Sequence, residues 1–117
     1  MKASDRFQVE NATCRYDGQV CQVSNLSLGG FFVATPRPPM AGQFFELELT
    51  LASREPFTLL GKVTWVNDPR APRSPQLPQG FGFKITRIGL AEKVAIVDLL
   101  RRSAPVDGRA ADGRPAD

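Results

Sequence analysis

The chain has 117 residues, 42% of them hydrophobic, with 15 basic and 12 acidic residues, no histidine and a net charge of +3. This length suits one domain with a modest core, and no apolar run approaches the roughly 18 residues that span a bilayer. Without histidine the commonest general acid–base and metal ligand is missing, and no Ser-His-Asp, paired-carboxylate or Cys-x-x-Cys arrangement replaces it. No catalytic residue, metal site or enzyme activity is therefore expected. The mild positive charge suits a phosphate-bearing partner, but the bases are scattered and give no reason to expect DNA binding. The start, Met-Lys-Ala-Ser-Asp-Arg, lacks the apolar stretch of a secretory signal. With only two cysteines, the expected compartment is the reducing cytoplasm, with no membrane insertion.

From Phe7 to Tyr16 the chain reads as a strand whose apolar parity switches near Glu10-Asn11, the mark of a bulge or strong coil. Asp17-Gly18 is a strong two-residue hairpin signal. It predicts pairing of Tyr16 with Gln19, Arg15 with Val20 and Cys14 with Cys21 on a returning strand, Gln19 to Val23. Opposed in a hydrogen-bonded pair, the cysteines would have Cα atoms about 5.5 Å apart. A disulfide needs Cβ atoms within about 4.5 Å, so two free, core-facing thiols are expected.

Ser24 to Val33 then breaks the strand pattern. Asn25 and Ser27 are one alternation apart and face the same way on an extended chain. Gly29-Gly30 permits a positive φ or a close backbone approach. By itself the run reads either as a turn held by polar side chains or as a small anion or nucleotide seat. A strand, Phe31 to Ala34, follows.

Residues 35–42 carry three prolines and read as a loop. Phe45, Leu47, Leu49 and Leu51 alternate with polar residues in a half-buried strand. Phe57 to Val66 is the next strand, with Trp65 on the same face as Leu59 and Val63 and with Gly61 at a bend or close contact. Asp68 to Gln79, with four prolines, reads as plain connection rather than a lid. Gly80 to Thr86 is the sixth strand. An amphipathic helix, Leu90 to Arg102, presents Leu90, Val94, Val97 and Leu100 on one side with Ile96 at the edge. Residues 103–117, nearly devoid of sizeable apolar side chains, read as a disordered tail. Six strands and a helix suggest a small antiparallel barrel without open edges. Trp65 and the phenylalanines are assigned to its core rather than to a base-stacking platform.

Asn25, Ser27 and Gly30 stand at the positions of an Asn-x-Ser-x-x-Gly motif. Together with Arg6-Phe7-Gln8-Val9, Gly61-Lys62-Val63-Thr64-Trp65 and Gly80-Phe81-Gly82-Phe83, in that order and spacing, it resembles the PilZ family over about residues 2–102. The resemblance implies an all-β fold: a six-stranded antiparallel β-barrel with a C-terminal α-helix, residues 1–102, ahead of the 103–117 tail. It also implies a receptor or adaptor for the bacterial second messenger cyclic di-GMP, with no further cofactor, signalling through a protein partner. In the family an Arg-x-x-x-Arg pair before the first strand wraps the ligand against the Asn-x-Ser-x-x-Gly surface. By resemblance the ligand-binding residues are Lys2, Arg6, Asn25, Ser27 and Gly30.

Lys2 stands where the family has its first arginine. It keeps the charge and lacks the planar fork that reads a guanine edge. Losing one such contact costs about 1–3 kcal/mol, or about ten- to more than a hundredfold in affinity. Arg15, Arg37, Arg70 and Arg73 are candidate substitutes. A second reading stays open on the same residues: a degenerate PilZ domain that binds no nucleotide and serves protein–protein interaction.

Overall fold

The computed structural model describes residues 2, 5–52 and 54–105. Its elements run β1 (Phe7–Gln8), β2 (Ala12–Tyr16), β3 (Gln19–Ser24), β4 (Gly30–Ala34), β5 (Phe44–Leu51), β6 (Phe57–Asn67), β7 (Gly80–Arg87), α1 (Leu90–Arg101) and β8 (Ala104–Pro105). Strands β2 to β7 close into an antiparallel barrel in the order β2-β3-β4-β7-β6-β5. Closure leaves no edge strand in the barrel. Among the described residues, no helix is long and apolar enough to cross a membrane.

The hairpin register is the one its turn dictates. Asp17 and Gly18 both have positive φ, 53° and 73°, as a type I′ turn requires. Tyr16 pairs with Gln19 and Cys14 with Cys21. Inward residues of every barrel strand meet in one cluster that includes Cys14, Val23, Phe31, Leu49, Val63 and Phe83.

The cysteines are free and buried in that cluster. Burial, and then the neighbouring Cys21 thiol, push Cys14 from an ordinary 9.0 up to about 12. Burial also raises Cys21, opposed in part by a hydrogen bond with Thr35. Between pH 9 and 12 the folded chain keeps a proton on Cys14 that the unfolded chain releases. Stability therefore falls as pH rises through that window, by at most about 1.4 kcal/mol per pH unit from this group. The urea midpoint is expected to drop across it, and Cys14→Val is expected to flatten the slope. Equal slopes in the two proteins would contradict the assignment.

Three expectations from the sequence are corrected. The first concerns the run Phe7–Tyr16, which is not one strand. It breaks at Asn11, whose φ is 58°. Only its second part enters the barrel, while β1 pairs with β8, Phe7 opposite Pro105 and Gln8 opposite Ala104. Residues 104–105, assigned to the tail, are thus part of a two-stranded ladder. Residues 106–117 of that tail lie outside the described residues.

The second concerns the helix, of whose expected face Leu100 and the edge residue Ile96 turn inward while Leu90 and Val94 do not. Ala95, Ile96 and Leu100 are buried, whereas Leu90 and Val94 are 80% and 58% exposed. The helix carries two apolar stripes.

The third concerns Trp65. Alternation places it inside, but β6 shifts register between Val63 and Trp65. The bulge sends Val63 and Val66 to the core and leaves Trp65 outside that cluster.

Candidate functional site

The site is built on the outer face of β4, β7 and β6, and its floor is set by glycines. Gly30 pairs with Lys84, and Phe32 pairs with Gly82, which in turn pairs with Trp65. A Cβ on Gly82 would collide with the Trp65 indole, and one on Gly30 with the Phe83 carbonyl. The indole therefore lies directly against β7. Phe32, 1% exposed although it points away from the barrel interior, is covered by Trp65 at a centroid distance of 5.5 Å.

The turn from Asn25 to Gly30 forms one wall. Asn25 takes the left-handed conformation, φ 51°, which asparagine tolerates better than most residues. The positive φ expected at Gly29 or Gly30 is therefore carried by Asn25 instead, and Gly30 serves close approach. Ser27 Oγ accepts hydrogen bonds from the Gly29 and Gly30 N–H groups at 3.1 and 3.0 Å. It donates to the Gly30 carbonyl at 3.1 Å. The Ser27 hydroxyl is thus committed to shaping the turn, as the turn reading of this run holds.

Leu26 is fully buried and exchanges two backbone hydrogen bonds with Phe7, at 2.8 and 3.1 Å. That bridge places Arg6 beside the turn. Arg6, half-buried, lines two cavities of about 220 and 320 Å³. Asn25, Phe32, Arg73 and Leu77 line the first; Ser27, Gly30 and Lys84 are among those lining the second. Both include Thr64 and Trp65, so the two form one cleft.

Four of the five residues named from the sequence, Arg6, Asn25, Ser27 and Gly30, therefore meet around this cleft. Lys2 lies apart, in an exposed leader turn. Its backbone N–H donates to Asp5 Oδ2 at 2.8 Å, and the Asp5 N–H donates to its carbonyl at 3.1 Å.

The roof comes from residues 68–79. Buried Asn67 donates through Nδ2 to the carbonyls of Ser74, Leu77 and Pro78 at 2.9–3.1 Å. Its Oδ1 accepts from the Ser74 N–H at 3.0 Å. This one amide folds the proline-rich segment back and sets the Arg73 guanidinium 5.3 Å from the Trp65 ring centroid. The segment is a built wall of the cleft, which corrects its reading as plain connection.

Of the four arginines considered as substitutes for the missing fork, Arg73 lines the cleft. Arg15 pairs with Glu48 at 3.9 Å on the wall formed by β2 and β5. Arg70 is held by Asp68 at 3.1 Å, an exposed pair in which the arginine hydrogen bonds hold the Asp68 carboxyl below its ordinary range. Arg37 is exposed and lines neither cavity.

Sequence reasoning missed Thr64, Asn67, Leu77 and Lys84, and it named Arg73 only as one of four candidate substitutes. The alternation Gly80-Phe81-Gly82-Phe83 held a usable signal: two outward glycines on one strand leave a bare floor that another group must cover.

The small closed barrel thus carries on its outer wall a cleft lined by Arg6, Arg73 and Lys84, floored by glycine and edged by one indole. The family model of the PilZ domain matches residues 1–102, and the chain belongs to that family, one of cyclic di-GMP receptor and adaptor domains. Comparison with curated proteins and comparison with solved structures each gave no match.

Proposed function

We propose that this chain is a cyclic di-GMP receptor that acts through a protein partner, with Arg6, Asn25, Ser27, Gly30 and Lys2 as its ligand-binding residues, Ser27 serving by holding the turn that presents the others. The observation that carries the reading is the charge of the cleft. Arg6, Arg73 and Lys84 line it, and none of the described residues lining either cavity is acidic. Two phosphates need cations, and guanine O6 and N7 fit the fork of an arginine.

Arg6 and Arg73 supply two such forks, so Arg73 is placed to do what Lys2 lacks. Trp65 offers a planar face now covered by the Arg73 guanidinium. A guanine entering between them exchanges one cation–π contact for stacking on both sides. Lys2, four residues before Arg6, adds charge when the leader closes over the ligand. The ordered leader then alters the surface offered to a partner.

Isothermal titration with cyclic di-GMP, paired with amide and indole NMR shifts, tests this. Heat is expected, together with shifts at Arg6, Gly29, Gly30 and the Trp65 indole. Absence of both at millimolar ligand overturns the receptor reading and leaves the nucleotide-free interaction module.

A further inference from the structure

The register across four strands sets two lysines in file beside the site. Gly30 of β4 pairs with Lys84 of β7, Lys84 pairs with Lys62 of β6, and Lys62 pairs with Phe44 of β5. Like charges placed directly opposite on a sheet destabilise it. Among the described residues neither lysine forms an ion pair, since the recorded pairs are Arg15–Glu48, Arg54–Asp98, Arg70–Asp68 and Arg102–Asp98. Nor is an acidic residue paired with either of them in the ladder. Lys62 instead rests its ammonium 5.5 Å from the ring centroid of Phe44, which is 61% exposed.

A repulsive pair persists where something else rewards it. Here the pair adjoins Gly30 and the cleft, since Lys84 lines the cleft and Lys62 is its neighbour across the ladder. We propose that Lys84 and Lys62 together hold one phosphate of the bound nucleotide on the rim of the cleft where Lys84 lines it. This rests on the receptor reading. It divides the cleft into two parts: Arg6, Arg73 and Trp65 take a guanine, and the lysine pair takes a phosphodiester. Two ammonium groups on flexible stems, rooted at directly opposed positions, can both reach one phosphate. To do so the Lys62 ammonium leaves the Phe44 ring, exchanging a cation–π contact for the phosphate.

Three substitutions, each removing one charge, test the idea: Lys84→Met, Lys62→Met, and Lys93→Met on the exposed side of α1 as a control. In cyclic di-GMP titrations at low salt the first two are expected to weaken binding about tenfold each. That gap should shrink as salt screens the charges. The control is expected to leave affinity unchanged. Without ligand, the urea midpoint of Lys84→Met and Lys62→Met should equal or exceed that of the native chain. Unchanged affinity, an equal loss in the control, or a lowered midpoint would each overturn the assignment.

If the native chain binds no cyclic di-GMP, the receptor reading fails and pyrophosphate becomes the probe. Shifts at the Gly30 and Lys84 amides that vanish in Lys84→Met would retain a phosphate seat. No shift would remove it as well.

Discussion

Asn67→Ala is expected to lower stability by about 3 kcal/mol and to dismantle the roof of the cleft. The side chain serves four backbone groups of residues 74–78 from a position that is 2% exposed. Each buried polar group left unpaired costs about 1–3 kcal/mol. Water entering the opened segment recovers part of the total, which sets the net near the cost of one or two such groups. The readout is direct, because Trp65 is the single tryptophan of the chain. With the segment released, Arg73 leaves the indole, and its fluorescence should shift to the red in the folded protein. Asn67→Asp keeps the acceptor for Ser74 and loses all three donated bonds, so it should give the same shift. A native spectrum with a native urea midpoint in either variant would show that the segment holds its shape by other means.

The second large effect falls on the ligand. Arg6→Ala is expected to weaken cyclic di-GMP binding more than a hundredfold. Arg6 borders both halves of the cleft, and two charge-assisted hydrogen bonds of about 1.5–3 kcal/mol each are lost with it. At 1.4 kcal/mol per decade, the smaller figure already gives two decades. The companion substitution runs the other way. Lys2→Arg restores the fork at the leader position and should tighten binding about tenfold. Loss of affinity in Lys2→Arg would show that the leader does not close over the nucleotide through residue 2. Native affinity in Arg6→Ala would remove Arg6 from the site.

Much of this arrangement was readable from short-range chemistry. Asp17-Gly18 fixed the hairpin register through the handedness its two residues permit, and with it the facing cysteines. The grouping of Asn25, Ser27 and Gly30 was legible because one turn of six residues holds all three. What failed to show was set by contacts across the fold. The outward turn of Trp65 depends on a one-residue slip against β7, invisible to an alternating pattern. Asn67 fell between the strand read as ending at Val66 and the connection read from Asp68, and nothing local marks it, because its four partners lie seven to eleven residues further on. Helical spacing picked out Leu100 and Ile96, which are buried, but not that Leu90 and Val94 stay exposed, since that depends on where the barrel meets α1. The lysine pair emerges only once β6 and β7 are in register.

The ladder between β1 and β8 has a consequence for how such a barrel is carried in larger assemblies. Phe7 lies opposite Pro105, so the polypeptide enters and departs at neighbouring points, one strand spacing apart. A host loop can therefore accept the whole barrel as an insert without being pried open. Tension applied at those two points would unzip the two residue pairs of this ladder and then load the Phe7–Leu26 bridge that seats Arg6, before reaching any barrel strand.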